Sequence, residues 1–236
     1  MDALIHQILT DIDAGQNPYF VALHDGGFAL DDFIETQIQF YFAVIFFPRP
    51  MAACAAKIPD ARLRLPVLQN VWEEHGEGGE GVAHGETFLT LLHRLDGVTV
   101  DDINARALWP EVRMFNTTLS GACVLDEHIV GASVLGIIEC MFAQISAWLG
   151  RSFVHRGWLT TEEMIHYDLH ASLDVQHAED FFAVLRPRWA ESSANQYYIE
   201  QGLRLGAHTF DTLYRGLYRA RARRDLRVEI RDHLRC

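Results

Sequence analysis

Lysine is nearly missing from this chain. Lys57 is the one lysine, and 20 basic residues face 32 acidic ones for a net charge of −12. So acidic a chain argues against a nucleic acid or an anionic membrane as the principal partner. Cysteine is sparse as well: Cys54, Cys123, Cys140 and Cys236 show no C-x-x-C spacing. That argues against a disulfide framework and suits reduced thiols in a cytoplasmic protein. The first residues lack the basic start and apolar run of a secretory leader, which points the same way. No stretch alternates apolar and polar residues long enough to demand a strand, and there is no internal repeat, linker or low-complexity segment. The scarce basic residues are unevenly spread, with seven arginines between Arg219 and Arg235. This end (219–236) reads as a solvated last helix or frayed tail rather than a binding arm.

What the chain has in quantity is apolar residues at helical spacing. With 49% apolar positions over 236 residues, one sizeable core is expected, and the whole of 1–236 reads as a single all-α domain of seven or eight helices. Periodicity and breakers suggest helices over 2–14, 19–24, a proline-kinked 31–57, 61–75, 83–95 and on to about Cys123. Asp126 is the expected cap of the next helix, and Ser193 of the last, which runs to at least Leu217. The apolar run Val130 to Gly150 could span a bilayer by length, but it carries Glu139 at its middle, so a central core helix explains it better. A carboxylate buried there needs a partner, either an arginine or a metal ion.

Three further features bear on chemistry. In His170-Ala171-Ser172-Leu173-Asp174-Val175-Gln176-His177, positions i, i+4 and i+7 fall within roughly 60° on a helix, so two imidazoles and a carboxylate share one face. Such a face suits iron, manganese or zinc, and a solvated polar stripe is the plain alternative. Its helix is expected to start at a capping box, Thr160 with Glu163, and to end near Leu185 ahead of Pro187; His166 then falls in an exposed first turn or beside the site. The second feature, Asn70-Val71-Trp72-Glu73-Glu74-His75-Gly76, leads to His84-Gly85-Glu86-Thr87-Phe88. Between them Gly76-Glu77-Gly78-Gly79-Glu80-Gly81 imitates a dinucleotide-binding loop, yet it follows a helix and its acids would repel a pyrophosphate; it reads as a turn. The third is Cys140, a small core thiol or else a nucleophile activated by a nearby base. The aromatic segment Phe40 to Phe47 suits core packing and the wall of an apolar pocket equally well.

Taken in order, Asn70-x-x-Glu73-Glu74-x-Gly76 with His84-x-x-x-Phe88, then Glu139, then His170-x-x-x-Asp174-x-x-His177 resemble the heme-oxygenase-like di-iron oxidases of the TenA/PqqC-like superfamily. The resemblance spans residues 15 to 217. It implies a heme-oxygenase-like helical bundle, often a homodimer, with Glu74, His84, Glu139, His170, Asp174 and His177 as metal ligands. It also implies two ferrous ions, with manganese as the alternative metal, dioxygen as co-substrate, a small-molecule substrate and an external electron donor as an option. Related enzymes carry out N-oxygenation, C–C cleavage or desaturation of amine- or carboxylate-bearing metabolites. Motif likeness is greatest to the para-aminobenzoate-forming branch, a further alternative, from which the chain departs at its sacrificed tyrosine and key lysine, opposite Phe20 and Leu149. A metal-free hydrolase of the thiaminase II kind, using Cys140, is the competing expectation.

Overall fold

The computed structural model describes residues 1–164 and 166–224, apart from the side chain of Asp168. Among the described residues eleven α-helices and no strand occur. Helix α1 (Asp2–Ile12) turns at Asp13 into α2 (Pro18–His24), where Asn17 Oδ1 accepts from the Tyr19 N–H at 3.0 Å and Pro18 occupies the first turn. The kinked segment is two helices, α3 (Leu30–Val44) and α4 (Pro48–Lys57), parted where Pro48 can only begin a helix. Then come α5 (Ala61–Glu74), α6 (His84–Asp96), the short α7 (Val100–Asn104) and α8 (Pro110–Ser120). The long helices α9 (His128–His155), α10 (His166–Glu191) and α11 (Ser193–Ala220) complete the set. The count exceeds the expected seven or eight because the kinked segment splits and one- or two-turn helices stand apart.

Several boundaries differ from the sequence reading. Glu127, not Asp126, caps α9, and Asp126 Oδ1 accepts from its N–H instead. Ser192, not Ser193, caps α11 through the Asn195 N–H. The Thr160–Glu163 capping box forms, but it closes only a single 3-10 turn, and α10 starts afresh at His166. Pro187 lies inside α10, which continues to Glu191. An interior proline costs a helix about 3 kcal/mol, and packing of α10 along α9 outweighs it.

Helix α9 is the axis of the bundle, flanked by α10 and α11. Close approach is built from glycine. A Cβ on Gly136 would lie 2.9 Å from the Cβ of Phe181, and one on Gly206 would lie 2.7 Å from the Val134 carbonyl oxygen. Two stretches, Leu30–Lys57 and His128–His155, are long and apolar enough to cross a membrane, but 89% of the apolar window in the second is buried inside the protein, as befits a core helix. The described part of the basic C-terminal end is tied down. Arg224 pairs with Asp32, Arg223 with Glu111, and Arg221 stacks on Tyr218. Residues 225–236, which hold Cys236 and the rest of the expected arginine tail, lie outside the described residues.

Candidate metal centre

Two of the six residues singled out in the sequence come from the ends of α5 and α6. Glu74 is the last residue of α5, and His84 is the first of α6. The glycine-rich segment between them is a turn, as its composition suggested. Gly76 sits at φ 65°, and a Cβ there would meet the Ala83 nitrogen at 2.5 Å, so only glycine lets the chain fold back this tightly. The fold-back brings His84 Nδ1 within 3.0 Å of Glu74 Oε1. Asn70, one turn before Glu74, anchors the end of α5 to α10 by donating to the Pro66 carbonyl and to Asp180 Oδ2, both at 2.9 Å.

The other four come from the two long core helices. Glu139 projects from mid-α9 and His177 from α10, with His177 Nδ1 at 3.5 Å from Glu139 Oε1 and 3.8 Å from Glu74 Oε1. Glu74, Glu139 and His177 thus form a buried group whose ligand atoms all lie within 4.8 Å of one another. His170 and Asp174 face each other one turn apart, Nδ1 to Oδ1 at 2.8 Å. The His170 ring lies 4.3 Å from that of His84. All six side chains are buried.

Burying so many polar atoms demands partners, and several have none. Glu139 Oε1, His170 Nε2 and Asp174 Oδ2 are buried without a well-formed hydrogen bond, and His84 Nδ1 and His177 Nδ1 face only carboxylates, Glu74 at 3.0 Å and Glu139 at 3.5 Å. Each such group costs about 1–3 kcal/mol when left unpaired. These atoms belong to the residue types that bind iron or manganese, and a cation among them would satisfy them together. The opposite edge of His177 is occupied, since Nε2 lies 2.8 Å from Glu73 Oε2. That carboxylate fixes the ring and directs Nδ1 at Glu74 and Glu139, the usual arrangement behind a metal-binding imidazole.

The electrostatics are those of a site that holds charge poorly by itself. Burial pushes Glu139 up to about 7, with Asp174 and Glu74 adding to the effect. Burial and Glu74 raise Asp174 well above the usual carboxylate range. Burial would raise Glu74 too, but His84, His170 and His177 outweigh it and leave it below its ordinary value. His177 moves the other way. Burial disfavours its cation, but Glu139, Glu74 and Glu73 together carry it up to about 10. Burial lowers His170 in spite of Glu74 and Glu139. Protons therefore stand where a cation would, and cation binding must displace them.

Beside these residues lies an apolar cavity of about 40 Å³. Phe40, Val44, Phe47, Phe142 and Phe210 form its wall, and Glu74, Glu139 and His170 form its polar floor. The aromatic segment of α3 therefore serves as a pocket wall as well as core. On the far side of Phe115 a groove of about 370 Å³ runs between α8 and α11, lined among others by Glu111, His208, Arg215 and Arg219.

Sequence reasoning gave no role to two residues that touch the group, Glu73 and Thr87, and left a third, His166, between two readings. Glu73 was in the motif yet had no role, although its place beside Glu74 was a signal. Thr87 lies one turn beyond His84, and its hydroxyl donates to the His84 carbonyl at 3.0 Å. Of the two readings of His166, the exposed first turn fails and the place beside the site holds: it is fully buried, with Nδ1 at 3.0 Å from Thr87 Oγ1. Its spacing four residues before His170 put it on the same face. Cys140 is half-buried, burial pushes its thiol up, and no base contacts it among the described residues. Tyr19, beside the Phe20 position, is buried and bonded to Thr36 and Gln37.

Residues 35–210 match the model of a family described as iron-containing redox enzyme. The fold is similar to that of a TenA homolog from Pseudomonas syringae pv. tomato, with TM-score 0.72 and 15% identity over 91% of this chain and 92% of that one. It is similar to a domain of unknown function with a heme oxygenase-like fold from Shewanella denitrificans, with TM-score 0.70 and 13% identity over 92% and 88%. A TenA homologue from P. horikoshii aligns with TM-score 0.67 and 15% identity over 92% and 95%. At such identities the likeness is one of fold. No curated protein matches the sequence.

Proposed function

The chain belongs to the family of iron-containing redox enzymes, and from that premise we propose that it is a non-heme di-iron oxidase or oxygenase acting on a small amine- or carboxylate-bearing metabolite. One observation carries the reading: Glu74, Glu139 and His177 bring buried ligand atoms within 4.8 Å of one another, beside the unpartnered His170 Nε2 and Asp174 Oδ2, and Glu74, Glu139 and His170 line an apolar cavity. Glu74, His84, Glu139, His170, Asp174 and His177 would hold the metal. Two ferrous ions, when bound, supply the electrons that activate dioxygen. The chain's own part is to orient and to keep dry. Glu73 and Asn70 lock α5 against α10, and the three carboxylates offset most of the cationic charge. The phenylalanine wall excludes water and receives the apolar part of the substrate. The α8–α11 groove would admit the substrate past Phe115, with Arg219 in its lining to attract a carboxylate and Arg215 there already paired with Asp211.

The proposal keeps the protein in the cytoplasm, as a homodimer that takes electrons from an external donor where its reaction needs them. The metal-free hydrolase alternative rests on Cys140, whose raised thiol has no base to activate it among the described residues. Anaerobic loading with ferrous iron should give two ions per chain, and dioxygen uptake should then depend on that iron. Absence of specific iron, with turnover that survives a chelator but not Cys140→Ala, would favour the hydrolase.

Glu73 provides a separate check. Glu73→Gln keeps the size of the side chain but weakens its hold on His177 Nε2. Iron affinity is expected to fall by about 10- to 100-fold, the usual effect of removing an orienting partner, with no loss of helical content by circular dichroism. Unchanged affinity in a chelator competition would remove Glu73 from the site.

A further inference from the structure

His166 is not among the residues that the motifs mark as ligands, yet its chemistry is that of one. Thr87 Oγ1 has a single proton, and it donates that proton to the His84 carbonyl oxygen at 3.0 Å. The arrangement that satisfies both contacts has the hydroxyl accepting from His166 Nδ1, also at 3.0 Å. Nδ1 thus carries hydrogen, and in the neutral ring the lone pair is left on Nε2. That nitrogen is fully buried and has no partner. Its neighbours do not offer one. The Phe88 and Tyr167 rings stand 4.7 and 5.2 Å away, and the Tyr167 hydroxyl is committed to Gln37 Oε1. The other rings beside it are those of His170, with ring centres 4.3 Å apart, and of His84 at 6.5 Å. His170 presents an unpartnered Nε2 as well, and His84 turns its Nδ1 to Glu74 at 3.0 Å.

We propose that His166 Nε2 is a further metal ligand, completing a histidine-rich pole of the centre with His84 and His170. The opposite pole, formed by Glu74, Glu139 and His177, is mostly carboxylate. Thr87 is the positioning residue: by accepting from Nδ1 it selects the tautomer whose Nε2 can bind. The inference rests on the di-metal reading above, and it concerns binding rather than turnover.

The test uses Co²⁺, titrated without oxygen into the metal-free full chain and followed by visible absorption and chelator competition. Wild type should take two ions. In His166→Gly the second ion should bind at least tenfold more weakly with an altered spectrum. Added imidazole should restore both properties, while pyrrole, the same ring without a basic nitrogen, should not. Thr87→Val should reproduce part of the loss and Thr87→Ser should not. Helical content measured on the same samples should match wild type. Two ions bound by His166→Gly with wild-type affinity and spectrum would overturn this inference and leave the di-metal reading standing. Failure of the wild type to bind two ions would overturn both.

Discussion

Glu139→Met is expected to strip the protein of iron and of iron-dependent dioxygen uptake, while its metal-free form becomes as stable as wild type or more so. The substituted side chain is close in volume to the original, so α9 keeps its packing. What disappears is a buried carboxylate with an unpartnered oxygen. As a proposed ligand it contributes one of three negative charges, and its loss should lower iron affinity by roughly 100-fold or more, beyond the effect of an orienting residue. In the metal-free fold the same carboxylate is a liability, because burial holds its pKa at about 7. A carboxyl raised in the folded state binds protons that the unfolded chain releases, so wild-type stability falls as pH rises from about 4.5 through about 7. The variant lacks that contribution. Melting curves recorded with chelator at pH 5 and pH 8 should show the variant gaining on wild type at the higher pH. A variant that kept its iron, or that melted well below wild type at pH 8, would contradict the role given to Glu139.

The largest structural effect is expected from two glycines on α11. Replacing an exposed mid-helix glycine with alanine normally stabilises by about 1 kcal/mol. At Gly202 a Cβ would stand 2.8 Å from the Val130 carbonyl oxygen, and at Gly206 2.7 Å from that of Val134. Backbone atoms cannot swing aside, so α11 would have to lift off α9. Overpacking costs about 1–3 kcal/mol per site. The double variant Gly202→Ala/Gly206→Ala should lose about 3 kcal/mol, a fall in Tm of roughly 6–12 °C in a chain of this size. Gly121 is the control: its dihedrals are helical and nothing lies within 4 Å of its Cβ position. Gly121→Ala should leave Tm unchanged or raise it. Equal losses in the two experiments would show that the α9–α11 approach does not depend on glycine.

The helical class and most helix limits were legible because they depend on local periodicity, proline and glycine. So was the shared face of His170, Asp174 and His177, since their spacing is a property of one helix, whereas Glu74 and His84 entered only through the family resemblance. What was hidden depended on contacts distant in sequence. The box at Thr160 and Glu163 reads as the start of a long helix, yet Arg94 of α6 donates to the Glu163 carbonyl at 2.7 Å and takes an oxygen that a continuing helix would use. No residue in the Glu162-Glu163-Met164 stretch signals that break. For the same reason His166 looked exposed: only the arrival of Thr87 and Phe88 from α6 buries it. Pro187 misled in the opposite sense, because the packing of α10 was invisible from its own sequence.

The convergence of α5, α6, α9 and α10 on one buried group has a consequence for the molecule as a polymer. A cation held there would act as a reversible cross-link between segments far apart in the chain. It would favour the folded state by mass action, by about 2.7 kcal/mol at a hundredfold excess over its Kd. The weakest strand of that knot is the bend between Glu74 and His84, whose two ends lie on different helices and whose reversal hangs on Gly76. Removing the cation would therefore be felt there first, as faster amide exchange at the end of α5 and the start of α6, well before the α9–α10–α11 layer loosens.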